Sequence, residues 1–309
     1  MLSISAISLI SPAILLLLYC VFLSNVYKNS LETNMPNMIT LSDGVINGFV
    51  AGQLMSSLVA VTSVTIAFST NFLMVQDKSL RNIYDINVSP VKPHIVSLSY
   101  YIASIVSSLT VCFVTIGLCM IYVAIVGWYL TVIDVLLLIV DIIILVLFGT
   151  ALSSVIHFFL STQNQIAAIG LLVGTSYGFL CGAYMPISEF GEGLQKVMSF
   201  FPGTYATSMV RNHAMNGAID AMRDELMGQT NQFFTKEMAD EVILSFRDAF
   251  DCNLYFFGDE VTEPTKYAVI LVTIVVLVGV FVLLNVLKAK GVSFKMPAKP
   301  KKEKKQKNA

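Results

Sequence analysis

Six long apolar stretches constrain the fold of this chain more than any other feature. They cover residues 7–27, 46–75, 97–128, 132–159, 165–185 and 266–287. Each reaches the length of about 20 residues that a helix needs to cross the hydrocarbon core of a bilayer. A spanning segment must satisfy its own backbone hydrogen bonds in lipid, so these stretches predict helices. With 56% hydrophobic and 13% charged residues, we predict an all-α polytopic membrane protein with six transmembrane helices.

Lysine and arginine residues predict the orientation of these helices. Nine lysines follow residue 287, and Lys78, Arg81 and Lys92 lie between the second and third stretches. The positive-inside rule places both groups in the cytoplasm. The first stretch lacks the basic flank and cleavage site of a signal peptide, so we count it as a retained span. We expect a multi-pass plasma-membrane protein with both termini cytoplasmic, whose basic tail, 288–309, contacts anionic membrane lipids rather than nucleic acid.

The longest polar region, residues 186–265, lies between the fifth and sixth stretches and is expected outside the cell. Apolar residues recur at helical spacing in its first part, namely Ile187, Phe190, Leu194, Val197, Met198 and Phe201. Pro202 should end that helix, because proline lacks an amide donor. We therefore predict an amphipathic or re-entrant segment over 187–201 and a small helical extracellular cap over 218–251. Helices one to five occupy 1–185, and helix six occupies 266–287.

The start of this region carries a specific sequence pattern. In chain order it consists of Met185-Pro186-Ile187-Ser188-Glu189-Phe190, Leu194-Gln195, Phe201-Pro202, Thr204-Tyr205 and Arg211. The pattern resembles the end of the fifth transmembrane helix in the permease subunits of ABC-2-type ABC exporters, and the overall topology is similar to theirs. The resemblance implies an outer gate formed by Pro186, Phe190, Leu194, Phe201 and Pro202. Residues 1–6 depart from the family, whose members usually begin with a basic amphipathic helix.

The resemblance also implies partners. ABC-2 permeases work in pairs above cytoplasmic ATP-binding subunits, so we expect a second permease copy or a paralogue beside this chain. The chain has no Gly-x4-Gly-Lys-Ser/Thr motif. We therefore expect ATP and Mg²⁺ on the partner subunit, and no cofactor or metal on this chain. The connection 76–96 is similar to the family's coupling helix, which assigns ATPase contacts to Lys78, Arg81, Tyr84 and Asp85. A solvated turn whose charges only fix topology is the alternative.

Four glycines on helix five predict a packing face. Gly170, Gly174, Gly178 and Gly182 recur at steps of four, which lets another helix approach closely. The paired architecture of the family favours the dimer interface, and a neighbour in the same chain is the alternative. Residues 174–178 also match the Gly-x-Ser-x-Gly motif of serine hydrolases. We expect no catalysis there, because the motif lies inside a spanning helix without a histidine at matching depth.

Polar residues within the apolar stretches are candidates for a translocation path. They are Gln53, Ser56, Ser63 and Thr70 on helix two, and Thr175 and Ser176 on helix five. Such groups turn away from lipid, so a path and ordinary hydrogen bonding between helices are both consistent with them. We add Asp141 of helix four, where a carboxylate costs about 2.5–3.5 kcal/mol. We expect no basic residue at its depth, so a neutral, hydrogen-bonded acid is the alternative.

These observations favour a transport protein rather than an enzyme. We predict the permease subunit of an ATP-driven ABC-2-type exporter, with drugs, lipids, peptides and glycopolymers all open as cargo. The alternative class is a non-transporting membrane assembly or sensor protein whose acidic extracellular loop binds a partner. A neighbouring gene for an ATPase with a Walker motif would favour the exporter.

Overall fold

The computed structural model describes residues 13–14, 16–34, 40–80, 91, 93–230, 234–290 and 292. Within these ranges the regular secondary structure is helical apart from one hairpin. A π-helical turn, Tyr19–Leu23, leads into the first helix. The helices are α1 (Ser24–Asn34), α2 (Asp43–Thr70), α3 (Phe72–Ser79), α4 (Pro93–Val126), α5 (Val132–Phe159), α6 (Gln163–Leu180), α7 (Glu192–Met198), α8 (Pro202–Gly228), α9 (Lys236–Ala249) and α10 (Glu263–Ala289). A 3₁₀ turn spans Ile187–Glu189, and strands β1 (Tyr255–Phe256) and β2 (Asp259–Glu260) pair antiparallel.

Four of the described helices are long and apolar enough to cross a membrane. Their spans are Asp43–Asp77, Ile95–Val126, Val132–Phe159 and Glu263–Lys288. They correspond to the second, third, fourth and sixth predicted helices, which confirms a helical, multi-pass membrane protein. The first predicted helix, 7–27, falls partly outside the described residues. The fifth corresponds to α6, which is not among the four, so the count of six stays a prediction.

Helix α2 lies at the centre of the bundle and contacts α1, α4, α5, α6 and α8. Small residues permit the closest of these contacts. A Cβ built on Gly52 would lie 2.6 Å from the carbonyl oxygen of Ala214 in α8. On the α5 side, a Cβ on Gly149 would lie 3.0 Å from the Cα of Val64. Helices in lipid associate through close backbone approach of this kind, because no hydrophobic force drives them together there.

The region predicted as an outer loop contains a long helix that packs inside the bundle. Helix α8 contacts α2, α5 and α10 along its length, and most of its first half is buried. The predicted cap, 218–251, begins within α8, crosses the connection after Gly228 and takes in α9. A cap on the outer face stays a prediction. Phe246 in α9 and Phe250, which directly follows this helix, pack their rings on Phe49 of α2.

Helix α6 ends earlier than the predicted boundary at 185. The chain reverses at Gly182, whose φ of +70° lies in the left-handed region that favours glycine. The amides of Ala183 and Tyr184 then donate to the carbonyl oxygen of Gly178. The ring of Tyr184 folds back against Gly178, and its hydroxyl donates to Gly174. The chain thus turns back toward the bundle after α6.

The segment 187–201 does not form the single amphipathic helix that its spacing predicts. It divides into the 3₁₀ turn and α7, because Gly191 has an extended backbone conformation between them. The side-chain amide of Gln195 donates to the carbonyl oxygens of Ser188 and Phe190, which fixes the two pieces relative to each other.

Candidate functional site

An arginine that is fully buried lies where α6 turns toward α8. Arg211 Nη1 is 3.0 Å from Asp251 Oδ2, and its Nη2 donates to the carbonyl oxygen of Gly182 at 2.7 Å. Arg211 comes from α8, Asp251 follows α9 and Gly182 follows α6. One guanidinium group therefore connects three elements that are distant in sequence.

Asp251 also holds the segment after Pro186. Its carboxylate accepts hydrogen bonds from the amides of Ile187 at 2.6 Å and Ser188 at 3.3 Å. Burial raises the pKa of this carboxyl, while Arg211 and the two amides act in the opposite direction. The backbone of Asp251 has a φ of +53°, which a non-glycine residue rarely adopts. Its carboxylate contacts explain why an aspartate stands there.

A second buried cation connects the same region to the last helix. Lys266 Nζ donates to Ser208 Oγ at 2.9 Å, to the carbonyl oxygen of Cys252 at 3.0 Å and to Glu263 Oε1 at 2.7 Å. Asn212 donates to the same Cys252 carbonyl oxygen and to Glu263. Cys252 is fully buried, and burial raises the pKa of its thiol to about 11.

We call these side chains the Arg211 cluster, defined as Arg211, Asp251, Ser208, Asn212, Lys266 and Glu263. The cluster joins the turn after α6 to α8, to the end of α9 and to the start of α10. Removing one partner would leave a buried charge without compensation, which is strongly destabilising. The arrangement therefore fixes the position of the segment that includes Pro186 and Ile187.

Asp141 has a basic partner, contrary to the expectation from the sequence. His213 Nδ1 lies 2.6 Å from Asp141 Oδ2, and the hydroxyl of Tyr267 donates to Asp141 Oδ1 at 2.8 Å. The expectation is wrong because His213 lies on α8, which packs against α5 and brings this side chain to Asp141. Asp141 is nine residues after Val132, or about 13 Å along α5. The group links α5, α8 and α10 within the bundle.

The predicted path residues of helix two are enclosed by protein. Gln53, Ser56 and Ser63 are buried, and the two serine hydroxyls donate to carbonyl oxygens of their own helix. The Thr70 hydroxyl contacts the Ala67 carbonyl oxygen of its own helix and also the hydroxyls of Ser104 and Ser108 of α4.

Helix α6 presents the other two predicted path residues elsewhere. Thr175 and Ser176 are exposed, and the Thr175 hydroxyl donates to the Leu171 carbonyl oxygen. The described part of the single chain does not bring them together with the helix-two group. A shared path in an assembled transporter stays a prediction.

The glycines of α6 have different surroundings. Gly170 and Gly174 line a cavity, and no described heavy atom lies within 4 Å of a Cβ built on either. Gly178 accommodates the ring of Tyr184, and Gly182 forms the turn. Within this chain the first two glycines are therefore not a close helix contact.

The cavity itself has a volume of about 740 Å³ and lies between α2 and α6. Its walls are mostly apolar, with Thr65 and Ser69 from α2 and His157 from α5 as polar exceptions. Tyr184, which follows the turn at Gly182, also lines it. The cavity thus ends at the segment whose position the Arg211 cluster fixes.

The residues assigned to an outer gate occupy several environments. Pro186 is buried, Phe190 is half-buried and Leu194 is exposed on α7. The ring of Phe201 makes an edge contact with Tyr177 of α6, with centroids 6.3 Å apart, and Pro202 starts α8. These positions all lie between the end of α6 and the start of α8, the segment next to the Arg211 cluster.

The predicted coupling residues lie mostly outside the part of the chain that the structure describes. The backbone of Lys78 belongs to α3, and its side chain is not described. Arg81, Tyr84 and Asp85 lie outside the described residues. Nearby, the Tyr100 hydroxyl of α4 donates to Asp77 Oδ2 at 2.5 Å, which joins the start of the connection to α4.

Sequence reasoning missed Asp251, Lys266, His213 and Tyr267. A usable signal existed for α8, because Tyr205, Met209, Met215, Ile219 and Met222 follow helical spacing from Pro202 onward. The partners of its polar residues gave no such signal, since Asp141 and Asp251 are about 40 to 70 residues away from them.

Comparison with known proteins supports the family. No curated protein and no solved structure matches the chain. The sequence model of the family described as "ABC-2 family transporter protein" matches residues 23–289. This match covers the helices α1 to α10 and the Arg211 cluster. The chain therefore belongs to the ABC-2 family of transporter proteins, as a multi-pass membrane permease.

Proposed function

We propose that the chain is the permease subunit of an ATP-driven exporter. A separate ABC ATP-binding subunit carries ATP and Mg²⁺, and a second permease copy or a paralogue completes the assembly. Membership of the ABC-2 family supports this proposal. The absence of a phosphate-binding Gly-x4-Gly-Lys-Ser/Thr motif from the sequence supports a separate ATPase.

The observation that carries the proposal is the cavity between α2 and α6. It extends from Ser69 and Phe72, near the predicted cytoplasmic end of α2, to Tyr184 at the turn after α6. Beyond Tyr184 the chain is fixed by Arg211 and Asp251. A cavity that reaches this fixed segment fits a cargo site in a permease whose outer segment is held in place.

The walls of the cavity favour lipophilic molecules among the candidate cargo classes. Val61, Phe68, Ile166 and Val173 are apolar, and few polar groups accompany them. A pocket with mostly apolar walls and a few polar groups binds ligands whose apolar part becomes buried in it. Among drugs, lipids, peptides and glycopolymers, we therefore propose a lipophilic drug or a lipid.

The proposed mechanism uses the weak attachment of α6. ATP-driven closure of the ATPase subunits pushes on the connection 76–96, and Asp77 and Tyr100 transmit the movement to α4. Helix α6 packs mainly on α2 and has few buried residues, so it can tilt at low cost. Cargo then leaves past the segment 187–201, with the exposed face of α6 toward the second permease.

Filling the cavity tests this function. Gly174→Leu adds a side chain where a Cβ meets no described heavy atom, so we expect normal folding and expression. ATP-dependent uptake of a lipophilic fluorescent dye or a fluorescent lipid into inside-out vesicles should fall at least about tenfold, because the leucine occupies apolar cavity volume.

The matched control is Gly117→Leu on α4, where a Cβ also meets no described heavy atom but which does not line the cavity. This variant should transport like the wild type. Equal uptake by Gly174→Leu and wild type would show that the cavity is not the cargo path.

A further inference from the structure

Three phenylalanine rings form an exposed cluster beside the segment that precedes α8. The centroids of Phe200 and Phe256 are 5.3 Å apart, those of Phe200 and Phe257 5.6 Å, and those of Phe256 and Phe257 4.9 Å. Their exposed fractions are 65%, 36% and 58%. We call these three residues the aromatic patch. Phe200 follows α7, and the other two belong to the β1–β2 hairpin.

Helix α7 extends the aromatic patch with an apolar face. Leu194 and Val197 are both exposed and precede Phe200 at helical spacing. The charged and polar residues of the helix, Glu192, Gln195 and Lys196, line a cavity of about 310 Å³, whose wall on the hairpin side includes Phe257. The short helix is therefore amphipathic, and its apolar face adds to the exposed aromatic surface.

The tip of the hairpin indicates that this exposure is not incidental. Phe257 and Gly258 connect the paired residues Phe256 and Asp259, with φ values of +53° and +101°. A two-residue turn with both central residues at positive φ favours Asn-Gly or Asp-Gly. A phenylalanine is disfavoured in the left-handed region, and here more than half of its side chain stays exposed. Folding alone does not account for an aromatic residue at this position.

The position of the hairpin favours lipid as the medium that covers the aromatic patch. The hairpin ends three residues before Glu263, where α10 starts. The exposed apolar residues Leu271, Val272 and Val275 show that α10 presents a lipid-facing surface. The span Glu263–Lys288 has 26 residues and is about 39 Å long, which exceeds the hydrocarbon thickness of about 30 Å. Its first turns therefore reach the membrane interface, where aromatic side chains concentrate.

We propose that the aromatic patch and the apolar face of α7 insert into the membrane leaflet at the end of the bundle where α10 begins. This is the outer leaflet in the topology of the proposed function. The inserted surface continues the lipid-facing surface of α10. It attaches the segment between α6 and α8 to the bilayer. A movement of this segment must then break its contacts with lipid as well as its contacts with Arg211 and Asp251.

A tryptophan reporter tests the insertion without any transport assay. Trp128 is the only tryptophan of the chain, so Trp128→Phe removes all tryptophan fluorescence from the background. In this background, Phe257→Trp should be quenched by about half in nanodiscs of phosphatidylcholine brominated near the carbonyl end of its acyl chains, because interfacial side chains reach that depth. Leu244→Trp, on an exposed position of α9, is the control and should keep its emission.

Two results would overturn the proposal. Water-like emission of Phe257→Trp without quenching would show that the patch faces solvent. Blue-shifted emission without quenching would show that protein covers it, either a second copy of this chain or another partner.

A second pair of variants separates insertion from folding. With Phe200→Trp as the reporter, Phe257→Asp should abolish most of the quenching, because a carboxylate resists transfer into lipid. Phe257→Leu should retain it. Aspartate tolerates positive φ better than phenylalanine, so the turn is preserved. Equal quenching in the aspartate and leucine variants would also contradict the insertion.

Discussion

At the scale of single residues, the buried charges of the described chain all have polar partners from other elements. Arg211 meets Asp251, Asp141 meets His213, and Lys266 bonds to Ser208 and the Cys252 carbonyl oxygen. A buried ion pair contributes little net stability, because desolvation offsets the attraction between its members. Its consequence is positional, since neither partner can move away without leaving a charge in an apolar environment. Arg211 and Asp251 therefore fix the segment after α6 in place.

Neutralising Asp251 should loosen the segment after α6. In Asp251→Asn, Arg211 loses its counter-charge while the side-chain shape is kept, so we expect stability to fall by about 3 kcal/mol. The protected thiol of Cys252 should then react at least about tenfold faster with a water-soluble maleimide, which mass spectrometry of the Cys252 peptide measures.

The control for this change is Asp240→Asn, because Asp240 pairs with Arg223 on the surface. Labelling of Cys252 should stay at the wild-type rate in this variant. If Asp251→Asn also leaves the Cys252 thiol protected, Arg211 and Asp251 do not hold the site closed.

At the scale of elements, hydrophobic length predicted the spans well. The fourth stretch, 132–159, coincides with α5, because a capping box of Thr131 and Asp134 starts the helix where the apolar run begins. The end of α6 was harder to predict. Apolar residues continue to Met185, but the helix stops at Leu180 and the chain turns at Gly182. Turn geometry overrides hydropathy at that position.

Helix α8 could not be predicted from hydropathy for a different reason. Arg211, Asn212, His213 and Asn216 make it polar in sequence, yet most of these residues are buried or half-buried against partners far along the chain. Asn216, for example, bonds to Asp134. A polar helix is stable inside a bundle only when such partners exist, and a single sequence does not reveal them. The candidate site was therefore less predictable than the fold.

The packing of α8 gives a prediction at this scale. A Cβ on Gly217 would overlap the carbonyl oxygen of Tyr129, so Gly217→Ala should force the helix away from the α4–α5 connection. We expect a loss of about 1–3 kcal/mol in stability, measured by thermal unfolding in nanodiscs. Gly228→Ala at the end of the same helix meets no described heavy atom and should be neutral or slightly stabilising. Equal stability of the two variants would contradict the tight crossing.

At the scale of the whole molecule, the chain belongs to a family of transporter proteins, and its sequence contains no Gly-x4-Gly-Lys-Ser/Thr motif. The proposed function assigns cargo to the cavity between α2 and α6. In that proposal the energy enters through a contact with a separate ABC ATP-binding subunit. We propose that contact in the connection 76–96, where the resemblance to the family assigns Arg81 and Tyr84 to the ATPase.

The central claim is that a separate ABC ATP-binding subunit drives this permease. The most direct test is purification of the full chain from its native membrane in mild detergent, with the bound proteins identified and quantified by mass spectrometry. We predict an ABC ATP-binding protein at about one copy per permease, reduced at least about fivefold by Arg81→Glu or Tyr84→Ala and unchanged by Lys290→Glu in the tail. Recovery of the folded chain without any nucleotide-binding protein would contradict the claim.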